Sequence, residues 1–124
     1  MRIIIVEDDS AVRESMLLLL RQMDFDPSAY ESAEAFLADV QPAPQDAVLV
    51  DLGLPGISGT QLISQLKSLQ HPPHIVVMTG SPLSALRREM PTLKDVSLLR
   101  KPLEPETLNT LLTGLQQSGE TNGA

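Results

Sequence analysis

Apolar runs alternate along the chain with segments whose apolar residues recur at helical spacing. The runs IIIV, VLV and IVVM are rich in β-branched residues and lack polar alternation, which is typical of strands buried on both faces of a parallel sheet. Ligands of such sheets lie outside the carboxyl ends of the strands, so the polar residues that end the runs are expected to meet at one edge. Including the weaker run SLLR, these residues are Glu7 and Asp8, Asp51, Thr79, and Lys101 with Pro102.

The alternation of strand and helix signals repeats five times. Strands are predicted at residues 2–6, 27–30, 46–50, 74–78 and 96–99. Helices are predicted at residues 10–23, around Phe36, from Ser58 or Gly59, from Ser81-Pro82 to about Met90, and from Pro105 onward. This alternation with short connections predicts an α/β fold in which helices cover both faces of a parallel sheet.

One domain is expected, over residues 1–117, followed at 118–124 by a disordered tail or the start of a linker. The formal net charge is −7 and no basic run exceeds Arg87-Arg88, which argues against a nucleic-acid or anionic-membrane surface. The absence of cysteine, the short apolar stretches and the early acidic residues favour a cytoplasmic protein without a signal peptide or membrane span.

The adjacent acids Glu7 and Asp8 have two interpretations. Carboxylates at the turn after a strand suit Mg²⁺, which prefers hard oxygen ligands. Acidic residues there also complement the dipole of the helix that follows. Asp51 adds a third carboxylate, and the glycine and proline residues after it predict a tight, open turn around it. Beside a divalent cation, such an aspartate can act as a nucleophile that forms an acyl phosphate.

Thr79, Gly80 and Lys101 extend this set of polar groups. The Thr79 hydroxyl could donate to a phosphoryl oxygen, or it could bond a neighbouring backbone group as strand threonines do. Gly80 lets a backbone N–H come close to a ligand. Lys101 ends a strand expected to be buried, where an ammonium needs an acidic partner, and the acids of the other strands are the candidates. Pro102 restricts Lys101 to extended geometry.

The motifs IIIVEDD, VLVDLGLPG, IVVMTG and LLRKP, in this order, resemble those of the receiver domain of two-component response regulators. The resemblance covers residues 2–117. It implies a flavodoxin-like (βα)5 three-layer sandwich with a five-stranded parallel sheet in the order 2-1-3-4-5. It also implies a phosphorelay signalling domain that catalyses only its own phosphorylation and dephosphorylation, and that is otherwise not an enzyme.

The resemblance implies roles for the acids. Asp51 would be the phosphoacceptor, taking a phosphoryl group from a phosphohistidine of a sensor histidine kinase or a histidine phosphotransfer protein. Glu7, Asp8 and Asp51 would bind Mg²⁺ or Mn²⁺ together with the backbone carbonyl of Gly53. Glu7 stands where aspartate is commoner in the family, and coordination is expected to survive with a longer reach.

The resemblance also implies contacts to the phosphoryl group by Thr79 and Lys101. The residues expected to flank that group are Leu52, Gly80 and Ser81. The Lys101-Pro102 bond is expected to be cis. Phosphorylation would shift a surface formed by the helix after the fourth strand, the fifth strand and the last helix, through which a homodimer or an output domain could bind. Leu98 and Pro102 are the residues assigned to this switch and interface.

Three other functions compete with a phosphorylation switch. Leu98 replaces the family's usual aromatic residue and the MPTLKDVS segment is unusual, so a degenerate receiver acting as a phosphorylation-independent interaction module stays open. A phosphohydrolase with an aspartyl nucleophile usually has a second acid two residues later, where this chain has Gly53. A flavin mononucleotide site would require a phosphate-binding loop where Glu7, Asp8 and Asp9 would repel phosphate.

Overall fold

A computed structural model of the chain describes residues 1–53, 58–82, 84, 86, 90, 93 and 95–122. The helix predicted between the fourth and fifth strands falls mostly on residues outside this description. Within the described ranges, none of the helices combines the length and hydrophobicity needed to cross a membrane.

Five parallel strands form one sheet in the order β2-β1-β3-β4-β5. Their bounds are β1 Arg2–Val6, β2 Asp26–Tyr30, β3 Ala47–Asp51, β4 His74–Thr79 and β5 Ser97–Arg100. The predicted fold class and strand order are thus confirmed, and each predicted strand boundary lies within one residue of the observed one. The inner strands β1, β3 and β4 are the three long β-branched runs of the sequence, because only they have neighbours on both sides.

The helices with defined bounds are α1 Ser10–Gln22, α2 Ala33–Asp39, α3 Gly59–Lys67 and α4 Pro105–Asn122. Side-chain oxygens cap the first three: Asp9 for α1, Ser32 for α2 and Ser58 for α3. The α4 backbone is helical through residue 122. No proline interrupts this stretch, so each added residue extends the hydrogen-bonded ladder. The predicted end of the domain at residue 117 stays a prediction.

Successive strand residues pack into two different hydrophobic layers. Ile4, Val50 and Val77 face the layer that contains α2 and α3, whereas Ile5 and Leu49 face the layer that contains α1 and α4. The alternation continues to the ends of the strands. Asp51 therefore follows Leu49 onto the α1/α4 side of the sheet, and Thr79 follows Val77 onto the opposite side.

The amino edge of the sheet is fixed by Asp46, which is 1% exposed. Its carboxylate accepts hydrogen bonds from the Arg2 backbone N–H at 3.1 Å, from the Arg2 guanidinium at 2.8 Å and from the Ala43 N–H at 2.8 Å. Burial alone would raise the pKa of Asp46, but the hydrogen bonds from Arg2 and Ala43 outweigh it and lower the pKa below its usual value. This end of the sheet is a structural anchor.

Candidate functional site

Glu7 and Asp8 lie in the turn that joins β1 to α1, at the carboxyl edge of the sheet. Glu7 is 1% exposed, whereas the Asp8 side chain is exposed. The Glu7 Oε1 atom accepts a hydrogen bond from the Asp9 N–H at 3.3 Å, and Asp9 in turn caps α1. Asp9 is thus the residue that caps α1, and Glu7 supports the turn through its hydrogen bond from the Asp9 N–H.

Asp51 is the last residue of β3 and is 9% exposed. The Gly53 N–H donates to its Oδ1 atom at 3.0 Å, so the chain turns back around the carboxylate. The Leu52 N–H donates to the Met78 carbonyl at 3.2 Å, which continues the β3–β4 ladder past the carboxylate. These bonds hold the side chain of Asp51 at the mouth of the sheet.

Lys101 connects Asp51 with Glu7. Its ammonium lies 3.1 Å from Glu7 Oε2 and 3.2 Å from Asp51 Oδ2. The Lys101 backbone N–H donates to the Thr79 carbonyl at 2.7 Å, and the following bond to Pro102 is cis, as expected. The acidic partners predicted for this lysine are therefore present.

The pKa values of Glu7 and Lys101 are both raised, for different reasons. Burial raises the pKa of Glu7; the hydrogen bond from Lys101 opposes this, the charge of Asp51 adds to it, and the pKa stays above its usual value. Burial would lower the pKa of Lys101, but the hydrogen bond to Glu7 and the charge of Asp51 raise it. Lys101 is accordingly held in its cationic form.

Thr79 is 5% exposed, and its hydroxyl oxygen accepts a hydrogen bond from the Ser81 N–H at 3.1 Å. The local backbone contact considered for Thr79 is thus formed. It uses the hydroxyl as an acceptor, so the O–H remains able to donate. Gly80 has open space where a Cβ would stand, and Ser81 is exposed.

The carboxylates of Glu7, Asp8 and Asp51 each offer an oxygen, and these oxygens lie within 4.8 Å of one another. Such a set of hard oxygen donors fits Mg²⁺ or Mn²⁺. Two of the three acids are buried and one is exposed, which leaves a side open for water molecules that Mg²⁺ usually retains. The Gly53 carbonyl as a further ligand stays a prediction.

Leu98 and Pro102 lie on either side of Lys101 in the chain. Leu98 is half-buried in β5, pairs with Val77 and packs against the hydrophobic layer of α2 and α3. Pro102 is exposed and lines an open, largely apolar depression of about 610 Å³ between α1 and the segment from Lys101 to Leu103. The switch role expected for both residues stays a prediction.

Two residues near the acids were not singled out in the sequence. Gly59 opens α3 so close to β3 that a Cβ would lie 2.7 Å from the Asp51 carbonyl oxygen and 2.7 Å from the Leu52 Cα. Arg13 of α1 reaches back, and its Nη1 donates to the Glu7 carbonyl at 2.9 Å. Gly59 could be noticed in the sequence as a glycine just after a helix N-cap. The contact of Arg13 could not be predicted without knowing the direction in which α1 leaves the turn.

The fold and this acidic edge are typical of one class of protein, which comparison of the chain with known protein families and structures identifies. The sequence pattern of the response regulator receiver domain matches residues 3–113, so the chain belongs to that family. It is 30% identical over 118 residues to the transcriptional regulatory protein FixJ of Bradyrhizobium diazoefficiens, covering 95% of this chain and 58% of FixJ. It is 37% identical over 75 residues to the sensory transduction protein RegX3 of Mycobacterium tuberculosis, covering 60% of this chain and 33% of RegX3.

Solved structures show the same fold. A response regulator receiver domain protein from Methanospirillum hungatei has a TM-score of 0.81 at 23% identity, covering 98% of this chain and 97% of that chain. A sensor protein from Polaromonas sp. JS666 has a TM-score of 0.80 at 29% identity, covering 94% and 96%. The chain spans between a third and three fifths of the curated relatives named above, whose whole-protein activities therefore include regions that this chain does not match.

Proposed function

We propose that this receiver domain is a phosphorylation switch in which Asp51 is the phosphoacceptor. The phosphoryl donor would be a phosphohistidine of a sensor histidine kinase or a histidine phosphotransfer protein. The observation that carries the proposal is the Lys101 ammonium bound between Asp51 and Glu7, with the Asp8 carboxylate close by. This arrangement supports a cation-dependent phosphoryl transfer. The cytoplasmic location of the protein stays a prediction.

The proposed step is an in-line displacement at phosphorus. A carboxylate oxygen of Asp51 forms the new P–O bond, the P–N bond to the donor histidine breaks, and the leaving imidazole takes up a proton. Fixed positive charge and hydrogen-bond donors do most of the catalysis, because the transferred group carries its charge on its oxygens. Mg²⁺ or Mn²⁺, held by Glu7, Asp8 and Asp51, would supply positive charge to carboxylate and phosphoryl oxygens.

The residues around Asp51 would respond to the added charge. Lys101 is cationic and already within 3.2 Å of the Asp51 carboxylate, so it is placed to pair with a phosphoryl oxygen. The Thr79 O–H can donate to another, since its oxygen serves the Ser81 N–H only as an acceptor. The Lys101 backbone N–H donates to the Thr79 carbonyl. A movement of either residue toward the phosphoryl group would therefore be passed to the end of β5 and to the start of the segment after β4.

The surface that would change is formed by the segment after β4, by β5 and by α4. Leu98 of β5 lies within it, half-buried against the layer that includes Leu86 and Leu93. Phosphorylation would favour one of two arrangements of this surface, which would bind an output domain or a second copy of the chain. The apolar depression between α1 and the segment from Lys101 to Leu103 lies on the α1/α4 side of the sheet and could receive the phosphoryl donor.

Acetyl phosphate with Mg²⁺ tests the proposed chemistry without a partner. Wild-type protein is expected to gain the mass of one phosphoryl group, Asp51→Asn none, and protein with excess chelator none. Asp26→Asn is the matched control, because it removes an exposed carboxylate at the opposite edge of the sheet. No mass gain by the wild type, or an equal gain by Asp51→Asn, would contradict the assignment of Asp51.

The alternative function is a phosphorylation-independent interaction module. Leu98 supports it, since an aliphatic side chain cannot provide the aromatic rotation that the family commonly uses. Beryllofluoride with Mg²⁺, a mimic of the phosphorylated state, distinguishes the two functions. A switch predicts changed amide resonances at residues 84–98, whereas an interaction module predicts the same amide spectrum there with and without the mimic.

A further inference from the structure

Arg13 makes a contact that the proposed phosphorylation chemistry does not use. It lies near the start of α1, and its side chain folds back over the end of β1. Its Nη1 atom donates to the backbone carbonyl of Glu7 at 2.9 Å and lies 3.5 Å from the carbonyl of Asp8. Arg13 thus contacts the backbone of both acids in the β1–α1 turn rather than their carboxylates.

The contact completes the hydrogen bonding of Glu7. Its N–H donates to the Tyr30 carbonyl of β2 at 3.0 Å, and its two carboxylate oxygens accept from the Asp9 N–H and the Lys101 ammonium. The remaining polar atom of Glu7 is its backbone carbonyl oxygen, which accepts a hydrogen bond from Arg13. A buried carbonyl at the end of a strand costs free energy if it lacks a partner, so this bond helps to fix the turn.

We propose that Arg13 is a positioning residue that fixes the β1–α1 turn so that Glu7 and Asp8 present their carboxylates to a divalent cation. The inference rests on the proposed function, because it concerns the cation that phosphorylation would require. Groups that orient metal ligands typically change metal affinity by about 10- to 100-fold when they are removed. Arg13 would act through a backbone carbonyl instead of through a ligand side chain.

The positive charge of Arg13 and its positioning of the turn predict opposite changes in Mg²⁺ affinity when the side chain is removed. A guanidinium next to three carboxylates repels a divalent cation, so its removal should strengthen Mg²⁺ binding if charge were its main effect. If Arg13 positions the turn, its removal should weaken Mg²⁺ binding despite the lost repulsion. The sign of the change in Mg²⁺ affinity therefore distinguishes the two effects.

Mg²⁺ binding to the Arg13→Ala variant, measured by calorimetry, tests the proposal. The expected result is a Kd raised about tenfold relative to wild type. Arg13→Lys keeps the charge but loses the planar fork, so we expect an intermediate Kd. Arg21→Ala is the matched control, since it removes an exposed arginine near the other end of the same helix and should leave Mg²⁺ binding unchanged.

A second measurement needs no metal. If Arg13 fixes the turn, the Asp9 N–H, which donates to Glu7, should exchange with solvent faster in metal-free Arg13→Ala than in wild type. Thermal unfolding shows whether the variant is folded, and Arg13→Lys carries the test if Arg13→Ala is not. An unchanged or tighter Kd in Arg13→Ala, or unchanged exchange of the Asp9 N–H, would overturn the inference.

The outcomes separate this inference from the proposed function. Wild-type protein that binds no Mg²⁺ and accepts no phosphoryl group would overturn the proposed function, while the metal-free exchange measurement would still decide whether Arg13 fixes the turn. Wild-type protein that binds Mg²⁺ and is phosphorylated, with Arg13→Ala identical in affinity and exchange, would overturn only the role of Arg13.

Discussion

The Lys101 ammonium lies 3.1 Å from the Glu7 carboxylate, although 94 positions separate these residues in the chain. The strands that lead to them are not neighbours, because β3 and β4 lie between β1 and β5. The contact consequently exists only when all four strands are assembled in the right order. Asp51, at the end of β3, completes the bridge at 3.2 Å from the same ammonium.

Lys101→Ala should lower the free energy of unfolding without metal by about 1–2 kcal/mol, since it leaves two close carboxylates without their shared cation. Mg²⁺ should stabilise this variant more than it stabilises wild type, because the added cation replaces the missing charge. Urea unfolding with and without Mg²⁺ measures both effects. Lys67→Ala is the control, since its ion pair with Asp95, at 4.0 Å, lies at the surface, and a smaller loss is expected.

Gly59→Ala should destabilise the fold by about 1–3 kcal/mol and slow phosphorylation of Asp51. A Cβ at this position would collide with the backbone of Asp51 and Leu52, which cannot yield as a flexible side chain would. Chemical unfolding and the rate of acetyl phosphate labelling measure the two effects.

Gly114→Ala is the matched control for that prediction. Gly114 is exposed in α4, and apart from its own turn of helix nothing lies within 4 Å of where its Cβ would be. Alanine there should preserve or raise stability by up to about 1 kcal/mol, because it is the better helix former. Equal losses in the two variants would contradict the argument from close approach.

Asp46→Asn should destabilise the protein at neutral pH by about 1–3 kcal/mol, since Arg2 and Ala43 lose a charged acceptor. The pKa of Asp46 is lowered from 3.8 in the folded state, so its contribution is present above that value and is lost as the pH falls below it. The stability difference from wild type should therefore shrink below about pH 4. Urea unfolding of both proteins at several pH values tests this.

Larger polar residues at Gly53 and Ser81 should change the lifetime of the acyl phosphate on Asp51. A Cβ at Gly53 would lie 3.6 Å from the Asp51 carboxylate, an ordinary contact distance, so a side chain can be accommodated beside the phosphoryl group. Loss of the phosphoryl mass over time in Gly53→Asn and Ser81→Gln measures the effect. Ser28→Gln, an exposed change on β2, serves as control, and the same hydrolysis rate in every variant would refute the idea.

The sequence predicted most of the sheet because its signals are local. Buried β-branched runs gave the strands, and the acids that end them lie together as expected because parallel strands share an edge. The extent of α4 could not be read from its polar end, since helix continuation depends on the backbone ladder rather than on an apolar stripe. Arg13 could not be assigned because its contact depends on how α1 leaves the turn.

Asp46, at the amino edge of the sheet, and Gly59, beside the site, illustrate the same limit. Asp46 directly precedes a buried strand, yet its partner Arg2 follows only from the register that pairs Ile3 with Ala47. Gly59 has no distinguishing local pattern beyond its place after Ser58, and its importance appears only when α3 is packed against β3. Chemical groups at strand ends are visible in a sequence, whereas the contacts that hold them need three dimensions.

The strand β3 has an acidic residue at each end, with Asp46 immediately before it and Asp51 as its last residue. Five steps of extended chain separate the two Cα atoms, about 16 Å. Over that separation the energetic effects of substitutions are usually additive. Substitutions near Asp46 can therefore be used to change thermostability separately from substitutions near Asp51, which are expected to change the kinetics of the proposed phosphorylation.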